Sequence, residues 1–122
     1  MAFVAFNNCL SNMKKRKDIG SFWFQLTQNG NLVGEFIDNV TKKIVSESAD
    51  CRERGKLDKF VGTFGSSWLE SLRPKSMVLK IKKSQNGIHE LTWSDKNEVR
   101  YYGKAFLSGD GKLAGTYWVA EN

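Results

Sequence analysis

SGDGKLAGTYW, residues 108–118, carries the run Leu113-Ala114-Gly115-Thr116-Tyr117, and TQNGNLVGEF, residues 27–36, carries a close counterpart, Leu32-Val33-Gly34-Glu35-Phe36. Aligned on their turns, the two copies match Leu26 with Leu107, Thr27 with Ser108, Gly30 with Gly111, Leu32 with Leu113, Gly34 with Gly115 and Phe36 with Tyr117. A third partial copy stands at Phe60-Val61-Gly62-Thr63-Phe64. In all three the apolar residue, the glycine and the aromatic ring recur with period two, so they share one face of a pleated strand. A glycine on that face leaves room for a bulky neighbour or lets the strand bend, and sheets that roll into small barrels use such positions repeatedly. In a chain of 122 residues the repetition reads as recurrent hairpin geometry rather than as a tandem solenoid.

Working outward from these runs, the period of two continues along the chain. Phe22, Phe24 and Leu26 alternate with Ser21, Trp23, Gln25 and Thr27, and Asn29-Gly30 suits a two-residue hairpin. A strand is expected over 41–48, a polar loop over 50–59, and a strand at Phe60–Phe64. The stretch 65–76, with the only proline, Pro74, reads as a second loop holding one helical turn at 68–72. Met77 to Lys82, Ile88 to Ser94, Val99 to Leu107 and Leu113 to Val119 complete the pattern, with turns at Asn86-Gly87, 95–98 and 109–111. The expected fold is all-β, a single antiparallel up-and-down β-barrel of about eight strands. Residues 1–19 form an N-terminal segment expected to pack on the barrel as a short helix or an extra strand, and 20–122 form the barrel domain.

Composition sets the outer bounds. Eleven Gly against one Pro and 12% aromatic residues suit short strands and tight turns. Nineteen Lys and Arg against 13 Asp and Glu give a net charge of +6, which favours anionic surroundings without naming one. Cys9 and Cys51 match neither a CxxC nor a zinc spacing and read as free thiols. The apolar opening precedes the basic block Lys14 to Lys17, the reverse of secretory order, and no apolar run approaches the roughly 20 residues of a membrane span. A cytoplasmic location is the expectation, and Asn39-Val40-Thr41 is then a chance match to a glycosylation acceptor.

Leu32-Val33-Gly34-Glu35-Phe36 and Leu113-Ala114-Gly115-Thr116-Tyr117 are similar to a strand segment of avidin-like proteins, and Gly20-Ser21-Phe22-Trp23 resembles their first-strand Gly-x-Trp signature with one extra residue. Over residues 20–119 the chain thus resembles the calycin-type up-and-down barrels, the avidin/streptavidin-like and lipocalin-like families. The resemblance implies a barrel that binds a small ligand. It supplies no ligand residues, because no counterpart of the polar biotin-holding set is present.

Few residues point to catalysis. His89, the only histidine, precedes Glu90, but the second histidine of an HExxH motif is missing and the period is that of a strand. Ser66, Ser67, Glu90, Asp95 and Glu98 are organised by no GxSxG motif or phosphate loop. The leading expectation is a non-enzymatic barrel without cofactor or metal, binding a small, partly apolar molecule among Phe24, Phe36, Phe64, Trp93, Tyr101 and Tyr117. The same rings also suit a filled core, since an eight-stranded barrel is only just wide enough to be packed by side chains. The glycines at 34, 62, 103 and 115 favour a cavity, since a missing side chain leaves volume. The alternative is a single-stranded nucleic-acid platform, in which Lys80, Lys82, Arg100 and Lys104 track phosphates while Tyr102 and Phe106 stack on bases. A solvated barrel exterior accounts for the same residues. A third reading is a protein-interaction or inhibitor barrel acting through the loops at 50–59 and 65–76, and homo-oligomers are compatible with any of the three.

Overall fold

Alternation becomes eight strands in the computed structural model, which describes residues 18–40 and 42–121: β1 Ile19–Leu26, β2 Leu32–Asp38, β3 Val45–Arg54, β4 Gly62–Glu70, β5 Arg73–Lys83, β6 His89–Asp95, β7 Glu98–Leu107 and β8 Leu113–Val119. Each strand pairs antiparallel with the next, and β1 pairs with β8 from Ile19↔Trp118 to Phe24↔Leu113, closing the sheet into a barrel. Along the body of the barrel, closure removes the open strand edges through which sheets add to one another. The N-terminal helix or extra strand expected over 1–19 lies outside the described residues, except that Ile19 already belongs to β1.

The two ends of the barrel turn the chain differently. At the end we call lower, the connections at 27–31, 84–88 and 108–112 repeat one geometry: the Thr27, Ser84 and Ser108 N–H groups donate to the carbonyls of Asn31, Ile88 and Lys112, each at 2.8 Å. Gly30, Gly87 and Gly111 sit at φ 80°, 80° and 83° while their preceding residues do not, so these are three-residue loops ending in a left-handed glycine. That corrects the two-residue hairpin expected at Asn29-Gly30. Two-residue turns occur at the upper end instead, at Ser71-Leu72 (φ 51° and 67°) and Lys96-Asn97 (φ 52° and 66°).

Strand takes the first half of the loop expected at 50–59 and all of that at 65–76 except its turn. β3 runs on through Arg54, with an irregularity between Cys51 and Glu53, so the lower connection shrinks to 55–61 and takes in Phe60. β4 and β5 pair from Gly62↔Ile81 up to Glu70↔Arg73, so no helical turn exists at 68–72. Pro74 is tolerated because β5 pairs with β6 only from Val78 onward; at Pro74, beyond the body of the barrel, one side of the strand is an edge.

The lower half of the barrel is solid. Phe24, Leu32, Phe64, Leu79, Ile81, Leu91 and Leu113 are each at most 1% exposed. Nor do the inward glycines leave vacant volume: a Cβ on Gly34 would stand 2.8 Å from the Phe24 ring, and one on Gly103 would stand 2.9 Å from the Trp93 ring. At Gly62 and Gly115 the backbone of Glu53 and of Lys104 stands closer still, so the expectation that glycines 34, 62, 103 and 115 open a cavity does not hold.

Candidate functional site

What space remains lies at the upper end. There β2 and β3 part beyond Phe36↔Val45, β4 and β5 project as a hairpin, and a cavity of about 50 Å³ stays open. On the scale where one water needs roughly 10–15 Å³, this admits a group of a few non-hydrogen atoms. Its walls carry six rings, Phe22, Phe36, Trp68, Trp93, Tyr101 and Tyr117. They also carry four carboxylates, Asp18, Asp38, Glu47 and Glu70.

Strand parity brings these groups together. Phe22 on β1, Phe36 on β2, Glu47 on β3, Trp68 on β4, Trp93 on β6, Tyr101 on β7 and Tyr117 on β8 all stand at inward positions, above the apolar residues that fill the base. Tyr117 is the hub: its ring lies 6.0 Å from Phe36 and 5.8 Å from Tyr101, both edge-on, and 6.1 Å from Trp93. Trp68 meets Phe36 edge-on at 5.8 Å, and Trp93 meets Phe22 edge-on at 5.5 Å. Such geometry sets the positive edge of one ring on the negative face of the next and holds the wall rigid.

Glu47 is the polar floor of the cavity, only 5% exposed. The Ser66 hydroxyl and the Trp93 indole N–H, the latter at 2.9 Å, both donate to its Oε2. Its Oε1 has no hydrogen-bond partner among the described residues. Burial pushes the Glu47 carboxyl up to about 7, against the two hydrogen bonds, which favour the ionised form. The rim carboxylates act on the tyrosines: burial first, then Asp18, Glu70 and Asp38, raise Tyr101 above the ordinary phenol range. Burial, Asp38, Tyr101 and Asp18 raise Tyr117 further, so Tyr117 is a neutral phenol whose O–H donates to the Ile37 carbonyl at 3.2 Å.

Of the six expected ligand residues, Phe36, Trp93, Tyr101 and Tyr117 line this cavity, whereas Phe24 and Phe64 are buried in the solid base. Sequence reasoning missed Phe22, Trp68, Glu47 and the rim carboxylates. Trp68 lies in a stretch that reads as loop. Glu47 has a visible signal, its shared parity with Val45.

The residues of the alternative platform lie on one outer face. Across β5, β6, β7 and β8, Lys82, Glu90, Lys104 and Thr116 are successive pairing partners, as are Lys80, Thr92, Tyr102 and Trp118. Tyr102 is 43% and Phe106 63% exposed, and Tyr102 lies against the Trp118 ring at 6.5 Å. Glu90 interrupts the lysine row, and Arg100, skipped at a register irregularity of β7, pairs with Glu98 at 3.6 Å. Of the loops at 50–59 and 65–76 that would carry a protein-interaction reading, strand takes the first half of one and all of the other except its turn.

His89 is buried at the lower end, where its Nε2 lies 2.9 Å from Asp58 Oδ2 and its Nδ1 has no partner. Cys51 is an unpaired, half-buried thiol packed against the core; Cys9 lies outside the described residues. Among the described residues no three His, Cys, Asp or Glu side chains are grouped to hold a metal ion, and no helix is long and apolar enough to cross a membrane.

Fold and site together define a closed eight-stranded antiparallel barrel with a filled base and an open end walled by rings and carboxylates. No protein-family model, curated protein or solved structure matches the chain.

Proposed function

We propose that this chain is a non-enzymatic binding protein that takes a small, partly apolar group into the upper end of its barrel. The observation that carries the reading is the cavity of about 50 Å³, bounded by six rings, above a base that is filled. A barrel of eight strands is narrow enough for its own side chains to fill it or wide enough to hold one small ligand, and here the rings leave the upper end open. The cavity also opens onto a wide groove past Lys42, Ile44, Leu69 and Leu72, which shares Phe36, Glu47 and Trp68 with it and gives an apolar tail somewhere to lie. The residues similar to calycin-type barrels support the same class of function. The solid base excludes bulky ligands such as tetrapyrroles from the interior.

Trp68 and Trp93 wall the cavity, so their fluorescence reports occupancy. Titration with a panel of small amines, alcohols and acids is expected to give a saturable change that Trp68→Phe diminishes. If no member of the panel changes the emission or shifts the melting temperature, the reading falls.

A second reading keeps one specific observation, the exposed Tyr102 and Phe106 beside Lys80, Lys82 and Lys104 on one outer face. It requires single-stranded oligonucleotides to bind at low salt, to be released steeply as salt rises, and to be lost on Tyr102→Ala.

A further inference from the structure

We infer that the group received at the upper end is a small organic cation, an alkylammonium or a guanidinium, held between ring faces and carboxylates. This rests on the binding reading above and specifies its ligand class.

Charge is the first argument. The chain carries a net charge of +6, yet the described residues around the cavity include four carboxylates and no Lys, Arg or His. A protein with excess positive charge has gathered negative charge where its interior opens. At the rim Lys75 stands 4.0 Å from Glu70, both well exposed, which is a weak pair.

Ring chemistry is the second. Aromatic faces attract ammonium and guanidinium groups within about 6 Å of the ring centre, most strongly where water is excluded. Trp68, Trp93, Tyr101 and Tyr117 offer such surfaces beside the acids. A bare metal ion needs several oxygen ligands converging on one point, and among the described residues no three acidic, histidine or cysteine side chains do so. An organic cation is satisfied by carboxylates and rings spread around it.

Third, the floor has an acceptor in waiting. Glu47 has both donors on Oε2, leaving Oε1 in the cavity with no partner among the described residues. An accepting oxygen on a residue that lines a cavity, with no protein donor of its own, leaves a position for a ligand to fill. A donor N–H, or the positive shell of a methylated ammonium, does so.

Glu47 makes the binding sensitive to protons. Facing it are Tyr117 from β8, Tyr101 from β7, Asp38 at the end of β2, Glu70 at the end of β4 and Asp18 ahead of β1, with Lys42 and Lys43 across the groove. With its carboxyl raised to about 7, a cation that prefers the ionised form expels the proton on binding.

The test titrates the full chain with tetramethylammonium, n-butylammonium and guanidinium, with tert-butanol as neutral control and acetate as anionic control. Tryptophan emission and calorimetry in buffers of different ionisation enthalpy are the readouts. The cations are expected to bind and the controls not to, with a proton released and affinity rising about tenfold between about pH 6 and about pH 8. All three probes keep their charge over that range, so the step belongs to the protein. Glu47→Gln, close in shape, should abolish the pH step and the proton release while the protein still melts cooperatively. A blocked peptide with a single Lys or Arg separates the two sources of such a group: tighter binding than n-butylammonium or guanidinium indicates a protein side chain, weaker binding a free amine, and either supports the cation. Equal affinity for tert-butanol and tetramethylammonium, or preference for acetate, would overturn the cation while leaving a binding cavity in place. Binding by none of the probes would remove both.

Discussion

Glu47 shows how one side chain can oppose the stability of the barrel it completes. Its carboxyl ionises near 4.5 in the unfolded chain and near 7 in the folded one. Below the lower value both states hold the proton and stability is full. As pH rises from there to about 7, the unfolded state gives up a proton that the folded state retains, and stability falls. The shift corresponds to a loss of about 3 kcal/mol at most, complete above pH 7. Glu47→Gln keeps an acceptor for Ser66 and Trp93 and carries no charge. Its urea midpoint is expected to be nearly flat between about pH 5 and about pH 8 and to exceed that of the parent at the upper end, by about 2 kcal/mol. A parent midpoint that rises over this range would show that Glu47 is already ionised at pH 5. Glu47 was legible in principle, because it shares parity with Val45, Ala49 and Cys51, and the last two pack in or against the core. What hid it is its own charge: Ser46, Ser48 and Asp50 supply a polar outer face, but a carboxylate between Val45 and Ala49 interrupts the apolar row that marks an inner face. The rings were easier. Tyr101 and Tyr117 stand at alternating positions beside glycine, and their inward placement follows from the Gly-x-aromatic pattern alone.

The β4–β5 hairpin is the element that sequence patterning described least well, and its chemistry explains why. No apolar-polar alternation marks the strand, which carries Gly65, Ser66 and Ser67 in succession before Trp68, and Pro74 follows on the return. Ser66 is nevertheless 1% exposed, its hydroxyl satisfied by Glu47, so the strand is specified by a buried hydrogen bond rather than by hydrophobic period. The turn itself is strained. Ser71 and Leu72 hold φ values of 51° and 67°, and Leu72 is 92% exposed at the tip. Left-handed geometry costs a residue with a Cβ on the order of 1 kcal/mol, which Asn-Gly avoids in this type of turn. Ser71→Asn combined with Leu72→Gly is therefore expected to stabilise the protein by about 1 kcal/mol or more, or about 4 °C in melting temperature, by calorimetry. A turn that favours Asn-Gly but presents an exposed leucine beside the groove fits a rim that touches an apolar tail. The double variant should then bind n-butylammonium and longer alkylammonium ions with more similar affinities than the parent does. If the variant melts lower, the turn is not strained and this account of Leu72 fails.

At the scale of the whole barrel, the two ends are built for different tasks, and this can be measured by separating stability from binding. At the lower end Asp58 fastens the 55–61 connection: its Oδ1 accepts from the N–H groups of Phe60 at 2.8 Å and Val61 at 3.1 Å, while its Oδ2 meets His89 at 2.9 Å and Lys83 at 3.5 Å. Phe60, 5% exposed, is thereby held against the base beside the His89 ring. Burial acts to raise the Asp58 carboxyl, but the hydrogen bond and charge of His89, the Phe60 N–H and Lys83 outweigh it and hold it below the ordinary aspartate value. A lowered carboxylate contributes stability that is present above the unfolded value and lost as pH falls through the folded one, the opposite of Glu47. Between them the two groups tilt stability in opposite directions: the Asp58 contribution is lost toward acid pH, and that of Glu47 toward neutral pH. Asp58→Ala removes the fastening and leaves buried His89, whose Nδ1 already lacks a partner, with neither ring nitrogen satisfied. Losing the partner of a buried polar group costs about 1–3 kcal/mol, so a clear fall in the urea midpoint is expected. The cavity draws its walls from the upper end, and Phe24, Leu32, Phe64 and Leu113 fill the barrel between. The affinity of Asp58→Ala for tetramethylammonium should therefore stay within about twofold of the parent under conditions where both are folded, because additivity holds for sites that share no partners. A matching loss of affinity would mean that the packed base transmits strain from one mouth to the other, and that the barrel works as a single unit rather than as a solid support beneath an independent site.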